Sequence, residues 1–223
     1  MSLTGNDIRR VSRRTVEALE ECGYKCCLFG SAACHLWGMG DRIPNDIDIV
    51  VLTKDDAEAI KAKLIAPDGS RFYLVAGRHH SERYNVLWYA LRWTPPIRCK
   101  IDLITPNTKS LYKGLYIPNI PRNLINTITE IPVMPFLPLL LLKLQGWDDH
   151  HKAEETRLRN KIPQDETDVI NLLTMAGGDS GNRLRSNRWL PSSFVKLARG
   201  RAKKFADEFP LTKTSWTYIG FKV

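Results

Sequence analysis

Seven residues constrain this chain of 223 more than any others: Asp46, Ile47, Asp48, Ile49, Val50, Val51 and Leu52. Side chains alternate along an extended strand, so Ile47, Ile49 and Val51 share one face while Asp46, Asp48 and Val50 share the other. A strand this apolar on one side buries that side against a second layer, which makes a sheet packed by helices the expected frame. Arg98 to Ile104 repeats the design, with Cys99, Ile101 and Leu103 facing one way and Arg98, Lys100 and Asp102 the other. Two such strands in one sheet can gather the carboxylates of Asp46, Asp48 and Asp102 on a single face.

The surrounding pattern predicts alternating elements. Asp7 to Cys22 places Ile8, Val11, Thr15, Leu19 and Cys22 at helical spacing, and Gly23 follows as a stop. Cys26 to Phe29 is a short apolar run that ends at Gly30-Ser31, and Ala32 to Trp37 reads as a helix closed by Gly38. Asp55 to Ile65 is a further helix, with Thr53 as its N-cap and Asp56 in its first turn. Phe72 to Val75 and Tyr84 to Trp93 are rich in aromatic and β-branched residues and predict strands, with turn material at Pro95-Pro96 before Arg98. Beyond Pro106 the character changes. Pro118, Pro121, Pro132, Pro135 and Pro138 punctuate a linker, and helical patterns then run to about Phe209, broken by Pro163, Gly177-Gly178 and Pro191. The expected division is residues 1–120 for a sheet-bearing domain and 121–223 for a mainly helical subdomain.

Composition narrows the class. Apolar residues are 43% and charged residues 26% of the chain, as in folded soluble proteins and unlike disordered ones. The most apolar run, Val133 to Leu144, is interrupted by two prolines and is shorter than the roughly 20 residues that span a bilayer, so a buried helix is expected and no membrane partner. The start, MSLTGNDIRRVSRR, has no apolar stretch of secretory type, and Cys22, Cys26, Cys27, Cys34 and Cys99 are an odd number without zinc spacing. Thiols in a cytoplasmic protein are the expectation. The net charge of +9 is concentrated at the end, where ten Lys or Arg stand against three acidic residues from Asp179 onward. Such clustering is either a footprint for polyanions such as RNA or polyphosphate, or a solubilising surface.

Three neighbouring carboxylates repel one another and call for cations. Hard divalent ions such as Mg²⁺ take oxygen ligands, combining carboxylates with substrate phosphates, and they stabilise the attacking and leaving oxygens of a phosphoryl displacement. Gly30-Ser31 adds backbone N–H groups and a hydroxyl at a helix start, where phosphate binds favourably, and the glycine permits close approach. Ser31 is open to a second reading, as a simple helix cap.

The stretch GSAACHLWGMGDRIPNDIDIVV resembles the signature of the DNA polymerase beta superfamily of nucleotidyltransferases, a Gly-Ser turn followed by alternating hydrophobic and Asp residues. It covers about a tenth of the chain, and with CKIDLI and the downstream helices the likeness extends over roughly residues 7 to 176. The chain is most similar to small bacterial and fungal nucleotidyltransferases that include the abortive-infection toxin type. That resemblance implies an α+β nucleotidyltransferase fold, a mixed β-sheet flanked by helices, followed by a helical subdomain that closes one side of a nucleotide cleft. It implies that Asp46 and Asp48 bind Mg²⁺ (or Mn²⁺), that Asp102 is the third metal ligand and candidate base, and that Gly30 and Ser31 hold the triphosphate. The implied reaction moves a nucleoside monophosphate from a nucleoside triphosphate, ATP by expectation, to a hydroxyl of an acceptor, RNA being one candidate, with pyrophosphate release. A catalytically silent nucleotide- or RNA-binding module on the same fold is the alternative. The toxin type also carries a Lys and a downstream Asp-x-x-Asp helix; Lys143 with Asp165 and Asp168 resembles these at wider separation.

Other candidates have plainer readings. Lys143 on its apolar helix either snorkels to the surface or reaches a phosphate. Asp148, Asp149, His150 and His151 are adjacent and point in different directions on a helix, so a solvated polar face is expected. His79-His80 read as exposed loop residues, and Trp88, Tyr89 and Trp93 as core packing. The basic residues between Arg183 and Lys204 have no evident structural duty, since Phe194, Leu197, Ala198 and Phe205 account for the buried side of their helix.

Overall fold

Apolar alternation does produce a sheet. The computed structural model describes residues 2–40, 42–77, 85–106 and 116–223. Its strands are Cys26–Phe29 (β1), Asp46–Val51 (β2), Phe72–Ala76 (β3), Asn85–Arg92 (β4), Ile97–Ile104 (β5), Asn126–Ile128 (β6) and Ile131–Val133 (β7). They form one seven-stranded mixed sheet in the order β3-β4-β5-β2-β1-β7-β6. The pairs β2–β5 and β1–β7 are parallel, and the other neighbours are antiparallel.

By contact the chain divides into two units, one of Met1–Ser110 with Asn119–Met134 and one of Leu111–Pro118 with Pro135–Val223. The first holds the sheet and three helices: Gly5–Glu21 (α1), Gly30–Trp37 (α2) and Ala57–Ile65 (α3). Helix α1 starts with a capping box, in which the Thr4 hydroxyl accepts from the Asp7 N–H and the Asp7 carboxylate accepts from the Thr4 N–H. Ile8, Val11, Thr15 and Leu19 are buried as the spacing predicts. Helix α3 begins two residues later than expected because Asp56, not Thr53, is its cap, accepting from the Glu58 N–H at 2.9 Å.

The hairpin of β6 and β7 lies where a proline-punctuated linker is expected. Its turn residues Thr129 and Glu130 both have positive φ, 47° and 65°. Such two-residue turns usually announce themselves by Asn-Gly or Asp-Gly, and here that signal is missing. Arg13 of α1 holds the turn instead, donating to the Thr129 carbonyl at 3.2 Å and pairing with Glu130 at 3.4 Å. Among the aromatic residues of β4, Tyr89 is buried, Trp88 lies under the Arg98 guanidinium, and Trp93 falls beyond the strand, exposed and beside Tyr73. The core expectation therefore fails for Trp93. His79 and His80, and the first residue of the expected Tyr84 strand, lie outside the described residues.

The second unit is helical: Phe136–Lys152 (α4), Thr156–Arg159 (α5), Ile162–Ala176 (α6), Ser192–Glu208 (α7) and Lys213–Tyr218 (α8). Pro163, expected as a break, sits in the first turn of α6, where its missing N–H costs nothing. Helix α4 packs against α6 and α7, with Trp147, Phe205, Trp216 and Phe221 stacked edge to face through the core. Leu197, expected in that core, is 53% exposed, and Ala202 and Ala206 take the buried positions on α7. All five cysteines are thiols, and no helix among the described residues is long and apolar enough to cross a membrane.

Candidate active site

The antiparallel pairing of β1 with β2 sets Phe29 opposite Asp48, so the residue after Phe29 turns into α2 directly beside the Asp48 side chain. That residue is Gly30, with φ +64°. Other residues enter this left-handed region at a cost of roughly 1–2 kcal/mol. A Cβ on Gly30 would also lie 2.0 Å from Asp48 Oδ2 and 2.8 Å from its Cγ. Glycine is thus required both by the backbone turn and by the carboxylate packed against it.

On its other side Asp48 stands in register with Asp102 of β5, and Asp46 with Lys100. Paired residues of parallel strands share a face, so all four side chains project from the same side of the sheet. Ile47, Ile49, Ile101 and Leu103 are buried behind them. The Lys100 ammonium donates to the Asp102 carboxylate. Burial by itself would lower the pKa of Lys100, but Asp102 first, and then Asp46 and Asp48, outweigh it and hold the ammonium above its ordinary value. The lysine thereby supplies part of the positive charge that three clustered carboxylates demand. Cys99, on the opposite face, is pushed up to about 12 by burial, with the carboxylates of Asp46, Asp7 and Asp102 adding to the shift. It is fully buried on the core side of the sheet.

Ser31 is the second residue of α2, whose N-cap is Phe29 without a side-chain bond. The cap reading is therefore overturned. Its hydroxyl accepts a hydrogen bond from the Arg42 guanidinium at 2.7 Å instead. Arg42 and Lys100 are site groups that the motif reading passed over. Lys100 was legible from the strand alternation that singles out Asp102, whereas Arg42 comes from an irregular loop with no periodicity to place it. Asp46, Asp48 and Asp102 are part-exposed on one face of the sheet, and carboxylate oxygen is the ligand type that Mg²⁺ or Mn²⁺ prefers.

The second unit brings together the other motif residues. Lys143 donates to Asp168 at 2.7 Å, Gln164 donates to the other oxygen of Asp168 at 2.9 Å, and His150 Nδ1 lies 2.5 Å from Asp165. Lys143 neither snorkels nor stands apart on an apolar face, because Asp168, 2% exposed, engages it. Nor are Asp148 to His151 a solvated face. Asp148 is 4% exposed and meets Lys152 at 2.5 Å, Lys204 at 3.1 Å and Arg201 at 3.4 Å. Part of the basic surplus consequently has a structural duty: Arg201 and Lys204 tie α7 to α4, Lys203 pairs with Asp207, and Arg183 stacks on Tyr218.

Sheet order, helical second unit and the Gly30 turn together define a nucleotidyltransferase-like fold. Over its whole length the chain is similar to an antigenic nucleotidyltransferase-like protein from Paracoccidioides brasiliensis, with a TM-score of 0.66 at 15% identity, covering 96% of that chain. It is also similar to JHP933 from Helicobacter pylori, with a TM-score of 0.51 at 15% identity over 97% of this chain and 81% of that one. No family model and no curated protein sequence matches it.

Proposed function

We propose that the chain is a metal-dependent nucleotidyltransferase, in which an acceptor hydroxyl attacks the α-phosphate of a nucleoside triphosphate and pyrophosphate leaves. The observation that carries this reading is the double engagement of Asp48, which is in register with Asp102 on one side and packs on the Gly30 turn on the other. Carboxylates and an anion-favouring helix start are thereby parts of one site. In this reading Asp46, Asp48 and Asp102 hold Mg²⁺ or Mn²⁺, which when bound offsets the charge of the phosphates and of the leaving oxygen. Asp102 also takes the proton of the acceptor hydroxyl. The backbone N–H groups at Gly30 and Ser31, with the Ser31 hydroxyl, hold the triphosphate, and Arg42 and Lys100 add positive charge beside them. ATP is the expected donor.

The fold likeness to a protein called nucleotidyltransferase-like supports this reading. The narrower likeness to the abortive-infection toxin type is supported by the contact of Lys143 with Asp168, the Lys and Asp-x-x-Asp of that resemblance. For the acceptor we propose RNA. Arg185, Arg188 and Arg199 are exposed, and among the described residues none of them joins an ion pair. A silent binding module is the weaker reading, because one lysine, Lys100, offsets only part of the charge of three carboxylates, and the remainder is costly to keep together without a use.

Thermal melting tests the site. Nucleotide and Mg²⁺ together should raise the Tm by mass action, and Asp48→Asn should abolish the rise while melting near the wild-type temperature without ligand. A rise of equal size with nucleotide and chelator would contradict the metal-dependent site.

A further inference from the structure

We infer that His151, Glu166 and Glu208 form a second divalent-cation site, of the Zn²⁺ type, that joins α4, α6 and α7 within the helical unit. The three residues come from different helices: the last turn of α4, the first half of α6 and the final position of α7. One ligand atom from each lies within 4.8 Å of the other two, and His151 Nε2 is 3.9 Å from Glu208 Oε1.

The orientation of the imidazole favours a ligand. His151 Nδ1 is 3.0 Å from the Trp147 carbonyl oxygen. A carbonyl only accepts, so Nδ1 is the donating nitrogen, and Nε2 is the one left facing the two glutamates. Metal-ligating histidines are commonly held this way, with the far nitrogen donating to a backbone carbonyl. Trp147 also fixes the ring plane, meeting it edge-on at 4.7 Å.

Charge points the same way. Asp148, three residues from His151, is matched by Lys152, Arg201 and Lys204. Among the described residues no Lys or Arg pairs with Glu166 or Glu208, although their carboxylates converge. A bound cation would supply what those two side chains lack. One imidazole with two carboxylates suits Zn²⁺, whereas the all-oxygen set of Asp46, Asp48 and Asp102 suits Mg²⁺ or Mn²⁺. Glu166 is part-exposed and Glu208 exposed, so rotation of their long side chains can shorten the spacing to bonds of about 2.0–2.2 Å. Three protein ligands leave a fourth position for water.

The test is thermal melting of chelator-stripped full-length protein with and without ZnCl₂, alongside calorimetric titration of Zn²⁺. Wild type should bind one Zn²⁺ at this site and melt at a higher temperature when it does. Asp48→Asn should keep the rise, which separates this site from the carboxylates of the sheet. His151→Gln should lose it. Glu166→Gln, a change at a part-exposed position, should lose most of it and decides the matter if His151→Gln does not fold. Absence of a rise in the wild type, or a rise of the same size in the folded variants, would overturn the site.

Discussion

Gly30→Ala isolates the contact on which the candidate site depends. Two costs combine. Forcing an L side chain into φ +64° costs about 1–2 kcal/mol. The new Cβ, 2.0 Å from Asp48 Oδ2, must also drive that carboxylate into another rotamer, costing about 0.5–1.5 kcal/mol more. The variant should therefore lose about 1.5–3.5 kcal/mol in urea denaturation with an unchanged m-value, and it should lose the stabilisation that nucleotide and Mg²⁺ confer together. A double-mutant cycle separates the two costs. Asp48→Ala removes Oδ2 and Cγ, leaving its own Cβ at 3.1 Å. In that background Gly30→Ala should cost about 1 kcal/mol less than in the wild type. Additivity to within about 0.3–0.5 kcal/mol would refute the steric coupling of turn and carboxylate.

Asp102→Ala should lower kcat by about 10²-fold or more while nucleotide affinity in the presence of Mg²⁺ changes less than tenfold; equal losses in both would make Asp102 a plain metal ligand. Asp148→Asn should destabilise the protein by about 2 kcal/mol at neutral pH, below the roughly 3–5 kcal/mol of a fully buried pair because the Lys152 and Lys204 side chains are 66% and 46% exposed. Burial would raise the Asp148 carboxyl, but Lys152 and Lys204 outweigh it and hold it below its ordinary value. Its contribution is therefore present above the unfolded pKa and lost as pH falls through the folded one, so the deficit of the variant should shrink below about pH 4. A deficit that stays constant down to pH 3 would contradict this sign. Replacing Arg185, Arg188 and Arg199 with Ser should reduce the salt slope of single-stranded RNA binding by about 2, at about 0.7 per lost phosphate contact, and leave nucleotide binding unchanged. An unchanged slope would leave those arginines as a solubilising surface.

Much of the site was legible because its signals are local. Alternation alone put Asp46 with Asp48 and Lys100 with Asp102, and the parallel register of β2 with β5 then joined the two pairs. The Gly30-Ser31 turn was visible as an apolar strand run into a helix start. What stayed hidden depends on partners distant in sequence. Arg13 reaches across 116 residues to support the unsignalled turn at Thr129, so β6 and β7 read as linker. Asp148 looked like part of a polar face because Arg201 and Lys204, more than fifty residues on, cannot be assigned to it from the sequence. For the same reason the charges of α7 read as unused. Ser31 has the chemistry of a cap, and only the position of Phe29 shows that it is not one.

The central claim is transfer of a nucleotidyl group by the carboxylate site, and labelled nucleoside triphosphate tests it most directly. Wild-type protein is incubated with Mg²⁺, total cellular RNA and triphosphate labelled on either the α- or the γ-phosphate. The α-label should pass to RNA, the γ-label should appear only in pyrophosphate, and Asp48→Asn should do neither. Transfer of the γ-label to any acceptor, or undiminished transfer of the α-label by Asp48→Asn, would contradict the assignment of the site.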